Sequence, residues 1–429
     1  VESVKHTLSS IVDIISGGTP STANPDYWNG DIGWLSVADF NNDQRFVYYS
    51  DKTITRNGLN NSSTKLLSIG DTIISARGTV GALAQIGNEM AFNQSCFGLR
   101  AKQEFLNEDF LYYSLRNYVK NLKAKSQGSV FDTINLSTFD MIELEIPSLP
   151  HQQKIASVLS TLDEKIALNN QINATLEQMA KTLYDYWFVQ FDFPDENGKP
   201  YKSSDGEMMY NETLKREIPK GWDVKKLADW IKTDKSGDWG QEEPKGNYQL
   251  EVTCIRGADI NPINNQGIIE APTRFILEKN ANKLLSDFDF VIEISGGSPT
   301  QSTGRIASIS PSTLCRFDKP LICSNFCKAI SLKDNSYFYN FAFLWNQIYE
   351  NDILFGWEGK TSGIKNLLFD NFVQSYYEPL PPVEIADKFF QKMDVINSQQ
   401  QTLLKQNAEL TKLRDWLLPM LMNGQATVQ

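Results

Sequence analysis

The chain predicts an α+β fold made twice: two globular units of mixed strands and short helices, each followed by one long helix, under an internal pseudo-two-fold repeat. Two observations predict it. Slid by 231 positions, the sequence matches itself at Cys96/Cys327, Phe110/Phe341, Tyr118/Tyr349, Gly128/Gly359, Leu136/Leu367, Leu149/Leu380, Pro150/Pro381 and Asp163/Asp394, and the amides Gln94 and Asn325 fall together. Nearer the start of each half the offset shrinks to 220, pairing residues 34–40 with 254–260, so the second copy carries about eleven extra residues between these blocks. Two copies of one folding unit adopt two similar domains. The second observation is a change of period after each Leu-Pro boundary, from short β-branched runs to apolar residues every three or four positions.

The elements follow in the same order in both halves. Thr72–Ser75 and residues 82–86 flank a turn at Arg77-Gly78-Thr79 and read as two short strands; residues 290–294 and 305–309 repeat them around a longer Gly/Ser-rich loop. After Pro150, Leu159, Leu162, Ile166, Ile172, Leu176, Met179, Leu183 and Trp187 keep helical spacing with no internal Gly or Pro. After Pro382, Phe389, Met393, Ile396, Leu403, Leu410 and Leu417 do the same, with Gln400, Asn407 and Arg414 as polar seam positions that fix the register of a coiled coil. Such a helix reaches about 55 Å. It outruns a small domain, so the two helices are expected to pack on each other. Residues 192–220, rich in Pro and Gly, read as a connection. The expected division is a globular unit at 1–149, a helix at 150–190, a linker plus second unit at 191–380, and a helix with a tail at 381–429.

Several chemistries are disfavoured. Cys96, Cys254, Cys315, Cys323 and Cys327 contain no CxxC pair, and the two histidines, His6 and His151, lie far from them in sequence, so neither disulfides nor a metal site is expected. Gly359-Lys360-Thr361 resembles the end of a phosphate loop, but Leu354 stands where that loop needs glycine. Asn24-Pro25-Asp26-Tyr27 reads as a turn anchored by Tyr27 and Trp28. No catalytic constellation stands out. A net charge of −11 argues against a uniform nucleic-acid coat but leaves room for a local basic groove; residues 100–125 carry six bases to three acids. No run approaches the ~18 apolar residues of a membrane span, so a soluble, cytoplasmic protein without membrane association is expected.

Four segments are similar to the specificity subunit of type I restriction-modification enzymes: residues 15–21 leading to Trp34-Leu35-Ser36, residues 146–156, residues 185–194, and Ile218-Pro219-Lys220-Gly221-Trp222. The resemblance implies two target recognition domains, each followed by a long helix, with the helices paired antiparallel as a spacer. It further implies a non-catalytic DNA-binding subunit, each domain reading one half of a split target in double-stranded DNA. Two methyltransferase subunits, which use S-adenosylmethionine, and translocating restriction subunits are the implied partners; no cofactor is expected in this chain. A coiled-coil assembly adaptor that does not read DNA is the alternative.

Base and phosphate contacts call for Arg, Lys, Asn, Gln, Ser or Thr on loops. The candidates in the first domain are Ser16, Thr19, Arg77, Thr79, Gln94, Lys125, Gln127 and Ser129. In the second they are Arg256, Asn264, Asn265, Ser298, Thr300, Gln301, Lys360, Thr361 and Lys365. Target reading is expected where the two copies differ, the eleven-residue surplus included.

Overall fold

The repeat reappears in the computed structural model, which describes residues 3–125, 133–265, 267, 269–296, 300–361 and 364–428, without the side chains of 123–125, 360 and 361. The chain divides into two units: residues 1–168 with 409–429, and residues 169–408. In the first, one sheet runs in the order Val12–Ser16, Cys96–Ala101, Thr72–Ser75, Leu83–Ile86, Phe46–Val47. The second unit repeats that order with Ile231–Ser236, Cys327–Leu332, Asp289–Glu293 and Ile306–Ile309, lacking only the last edge strand. A second sheet pairs Trp28–Leu35 in parallel with Met90–Phe92 in one unit and Tyr248–Ile255 in parallel with Leu321–Cys323 in the other. A two-stranded ribbon closes each unit, Ser3–Thr7 with Glu143–Pro147 and Asp223–Lys226 with Tyr377–Leu380. The central strands Thr72–Ser75 and Asp289–Glu293 are buried at every residue, which is why they read as short apolar runs rather than alternating ones.

The surplus in the second copy resolves into two insertions, of five and eight residues, partly offset by a stretch two residues shorter between Ile255 and Glu293 than between Leu35 and Ser75. Between corresponding strands, residues 76–82 become 294–305, and residues 87–89 become 310–320. The second insertion includes the short helix Pro311–Leu314, capped by Ser310, and it packs on the second long helix: Ser310 donates to Asn397 at 2.7 Å and Arg316 to Gln401 at 2.8 Å. Ser310, Ser312 and Arg316 of this insertion thus serve packing on the second long helix.

The long helices run Leu149–Tyr184, continued by a π-helical turn Asp185–Val189, and Val383–Met422. Within each unit their segments pair antiparallel. In the second unit Asn169 donates to Asn407 at 2.8 Å and Asn407 to Asn170 at 2.7 Å. In the first, Arg414 reaches Asp163 at 2.8 Å. The polar seam positions Asn407 and Arg414 are buried, whereas Met179, counted in the apolar stripe, is 56% exposed.

Each unit is fastened to its helix segments by different chemistry. In the first, buried Arg45 donates to Gln85 and Ser160, both at 2.6 Å, and pairs with Asp109, while Tyr113 donates to Asp163 at 2.6 Å. In the second, aromatic packing dominates: Phe343 stacks on Tyr184 at 5.3 Å, Tyr339 meets Phe390 at 5.2 Å, and Tyr339 donates to Asp394 at 2.8 Å. Residues 192–220 are more than a connection. Their hairpin, Met208–Asn211 with Arg216–Pro219, and the flanking Phe191, Phe193 and Trp222 join the core of the second unit. Among the described residues no helix is long and apolar enough to cross a membrane.

Candidate functional site

In each unit four chain segments converge on one loop junction, and the same backbone hydrogen bonds wire it twice. Strand ends supply the loops. A Gly-led loop crosses a tight turn through Gly18 N–H to Phe92 C=O at 3.0 Å, matched by Asp238 to Cys323 at 2.9 Å. The turn is tied back to its parallel neighbour through Asn93 N–H to Leu35 C=O at 3.0 Å, matched by Ser324 to Ile255 at 2.8 Å. The loop after the central strand donates from Ala76 to Ser95 at 2.7 Å, matched by Ile294 to Phe326 at 2.9 Å. The fourth segment enters through Ile134 to Ala76 and, two residues off the register that pairs Leu367 with Leu136, through Leu367 to Ile294, both at 2.9 Å.

Glycine is required at the crossing. A Cβ on Gly17 would fall on the carbonyl oxygen of Asn93, and one on Gly237 would fall on that of Ser324. Both obstacles are backbone, which cannot swing aside. Gly237→Ala is accordingly expected to cost about 1–3 kcal/mol of overpacking, read as a lower unfolding midpoint, and to blunt the function of that junction alone.

The same wiring displays different side chains. In the first unit Ser16, Arg77, Thr79 and Gln94 are exposed, and half-buried Thr19 donates to the Gln94 side-chain oxygen. Arg77 has no hydrogen-bonded or charged partner among the described residues. It sits beside Gly78, whose φ of +77° makes the hairpin tip. These five candidates are thus brought together. In the second unit the positions of Thr19 and Ser95 are taken by Trp239 and Phe326, and Gln94 by Asn325. Trp239 lies over the Arg274 guanidinium at 3.9 Å. Gln301 is exposed, and Lys365 comes beside it, donating to its carbonyl at 3.1 Å while pairing with Glu358 at 3.1 Å.

Other candidates lie elsewhere or are already engaged. Arg256 grips Asp259 through both carboxylate oxygens, at 2.8 and 3.1 Å, and donates to Glu270 C=O at 2.8 Å, so its guanidinium is already engaged, while the Asp259 carboxylate accepts the Arg256 backbone N–H at 2.9 Å where the short helical segment begins. Asn264 donates to Ile306 C=O at 2.7 Å and accepts from Ser308 N–H at 3.2 Å, so its amide is tied to the neighbouring strand. Asn264 and Asn265 border a cavity of about 10 Å³ with Asn173, Glu177 and Gln400 of the long helices, room for a single water and remote in chain order from the junction. Thr300 is exposed at the end of its loop. Gln127, Ser129 and Ser298 lie outside the described residues, as do the side chains of Lys125, Lys360 and Thr361; Glu358–Thr361 is a strand paired with Ile364–Leu367, not a phosphate loop. Four of the six bases of residues 100–125 are held internally: Arg100 by Asp71 at 2.6 Å, Lys102 by the Ser10 carbonyl at 3.1 Å, Arg116 by Asp43 at 2.7 Å and Lys120 by the Asp415 carbonyl at 3.2 Å.

Reading residues one at a time missed Asn325, Phe326 and Trp239. The self-match already paired Gln94 with Asn325, and carrying that pairing through would have found the whole turn. Nucleophilic chemistry finds no support among the buried thiols, since burial pushes Cys96, Cys254 and Cys327 up to about 12 and raises Cys323 as well. Among the described residues no group of three or more His, Cys, Asp or Glu is arranged to hold a metal.

Comparison with known proteins agrees with this geometry. Residues 1–178 match the family model described as the type I restriction modification DNA specificity domain. The type I restriction enzyme MjaIX specificity subunit of Methanocaldococcus jannaschii is 27% identical over 98% of this chain and 93% of its own length. A Mycoplasma pneumoniae protein named as the C-terminus of a putative type I specificity subunit is 32% identical over 27% of this chain and 75% of its own. The crystal structure of the type I restriction-modification S subunit from M. genitalium shares the fold, with a TM-score of 0.57 at 17% identity over 98% of this chain and 96% of that one. The duplicated units, the long paired helices and these matches converge on one assignment: the chain belongs to the specificity subunits of type I restriction-modification enzymes, which confer DNA sequence specificity.

Proposed function

We propose that each unit reads one half of a bipartite duplex target through its loop junction, while the paired helices set the gap between the halves and dock two methyltransferase subunits. The observation that carries the reading is the duplicated wiring with divergent display. A rigid backbone frame repeated hydrogen bond for hydrogen bond holds two loops in one geometry, and the side chains at matching positions differ, as reading two different half-sequences requires. Phosphate contacts would orient the duplex, with Arg77 an exposed base of the first junction that has no partner among the described residues. Direct base contacts would come from Thr19 and Gln94 there and from the turn at Asn325 in the second.

The chemistry is left to the partners. The methyltransferase subunits would bind S-adenosylmethionine and transfer its methyl group, and translocating restriction subunits would join the same assembly. Retention of the reconstituted methyltransferase complex on immobilised duplexes tests the reading. Retention is expected on target duplex and to drop when either half is scrambled; binding indifferent to sequence contradicts it.

A further inference from the structure

We infer that Phe326 is a specificity-determining residue that recognises a thymine C5-methyl group in the half-site read by the second unit. The inference rests on the junctions being the base-reading surfaces and names what one of them reads.

Three observations lead to it. Phe326 is 54% exposed, with no ring or cation contact to its phenyl group among the described residues. A lone exposed apolar side chain is ordinary on a flexible surface, but this one stands on a turn fixed from several sides. Ile294 and Ser295 both donate to the Phe326 carbonyl, at 2.9 and 3.1 Å, and Cys327 N–H closes the turn on Ser324 at 2.9 Å. The ring is thus presented from a rigid support, so little ordering entropy is lost on contact.

The second observation is the partner position. In the first unit the crossing loop and the turn carry Thr19 and Ser95, with Thr19 bonded to Gln94. In the second both become aromatic, Trp239 and Phe326, and Trp239 is braced by Arg274. Two matching loops thus carry aromatic rings in the second unit where the first carries hydroxyls. The third is chemical. A phenyl ring offers neither donor nor acceptor, and the one apolar group that base pairs show in the major groove is the thymine methyl. The first junction is equipped to read donors and acceptors, and the second adds a surface that can distinguish thymine from cytosine by its methyl.

Methylation of a randomised target library by the reconstituted complex, read by sequencing, tests this. Phe326→Ser, which installs the first unit's residue, is expected to lose preference for thymine at one position of one half-site and leave the other half intact; Phe326→Leu, still apolar, is expected to retain that preference. On the wild-type protein, deoxyuridine in place of that thymine should weaken binding about fourfold, the worth of one buried methyl, with no such effect on Phe326→Ser. A wild type that selects its target while Phe326→Ser keeps the same base preferences overturns the inference alone, as does indifference of the wild type to deoxyuridine at every thymine of that half. A wild type with no target preference overturns the reading beneath it.

Discussion

Replacing Arg414 with methionine lowers the stability of the first unit by about 3 kcal/mol, toward the lower end of what breaking a buried ion pair costs. Arg414 is 4% exposed and meets three carboxylates, Asp163 at 2.8 Å, Asp415 at 2.9 Å and Asp43 at 3.4 Å. Asp415 and Asp43 reach water and can be solvated once the guanidinium is gone. Asp163, at 7% exposure, cannot. It keeps the Tyr113 hydroxyl and the field of Arg45, which places the loss at the low end rather than the high end of the range. Guanidinium-induced unfolding measures the effect. The double variant Arg414→Met with Asp163→Leu is expected to regain most of the loss, because no uncompensated charge remains. A single variant within about 0.5 kcal/mol of wild type, the ordinary scale of a surface substitution, would show that water reaches the pair.

Inserting seven residues into both long helices, after Leu168 and after Ala408, lengthens the unspecified gap of the target by about three base pairs. Seven residues add about 10 Å to each helix and preserve the heptad seam, and a base pair rises ~3.4 Å. Matched insertion is needed because the helices run antiparallel: Asp163 faces Arg414 and Asn169 faces Asn407. An insertion near Asn169 alone would shift one strand of the seam against the other and leave buried amides without their partners. Methylome sequencing reads the gap directly. Unchanged spacing with intact halves would remove the helices from the role of ruler.

How far the sequence speaks depends on the range of the interactions that decide each feature. The helices were legible because their signal is periodic and local, and Asn407 and Arg414 sit buried where the seam positions placed them. The duplication was legible because it is a property of the string. Thr19 and Gln94 were legible as polar loop residues, and they meet in the folded unit. Arg256 and Asn264 looked equally polar and loop-borne. Their partners, an Asp259 whose carboxylate turns back to accept from the Arg256 backbone and guanidinium and an Ile306 carbonyl 42 positions away, exist only once the chain is folded. The packing role of Ser310 was illegible for the same reason, since its contact with Asn397 links segments 87 positions apart. Phe326 was overlooked because an aromatic side chain suggests core, and only its exposure on a fixed turn marks it out.

The central claim is that two independent readers share one frame. Exchanging residues 16–140 for those of a relative with a different target, followed by sequencing of methylated DNA from cells carrying the system, tests it most directly. The account predicts that one half of the recognised sequence changes while the other half and the gap stay as they were; a change in both halves, or in neither, would contradict it.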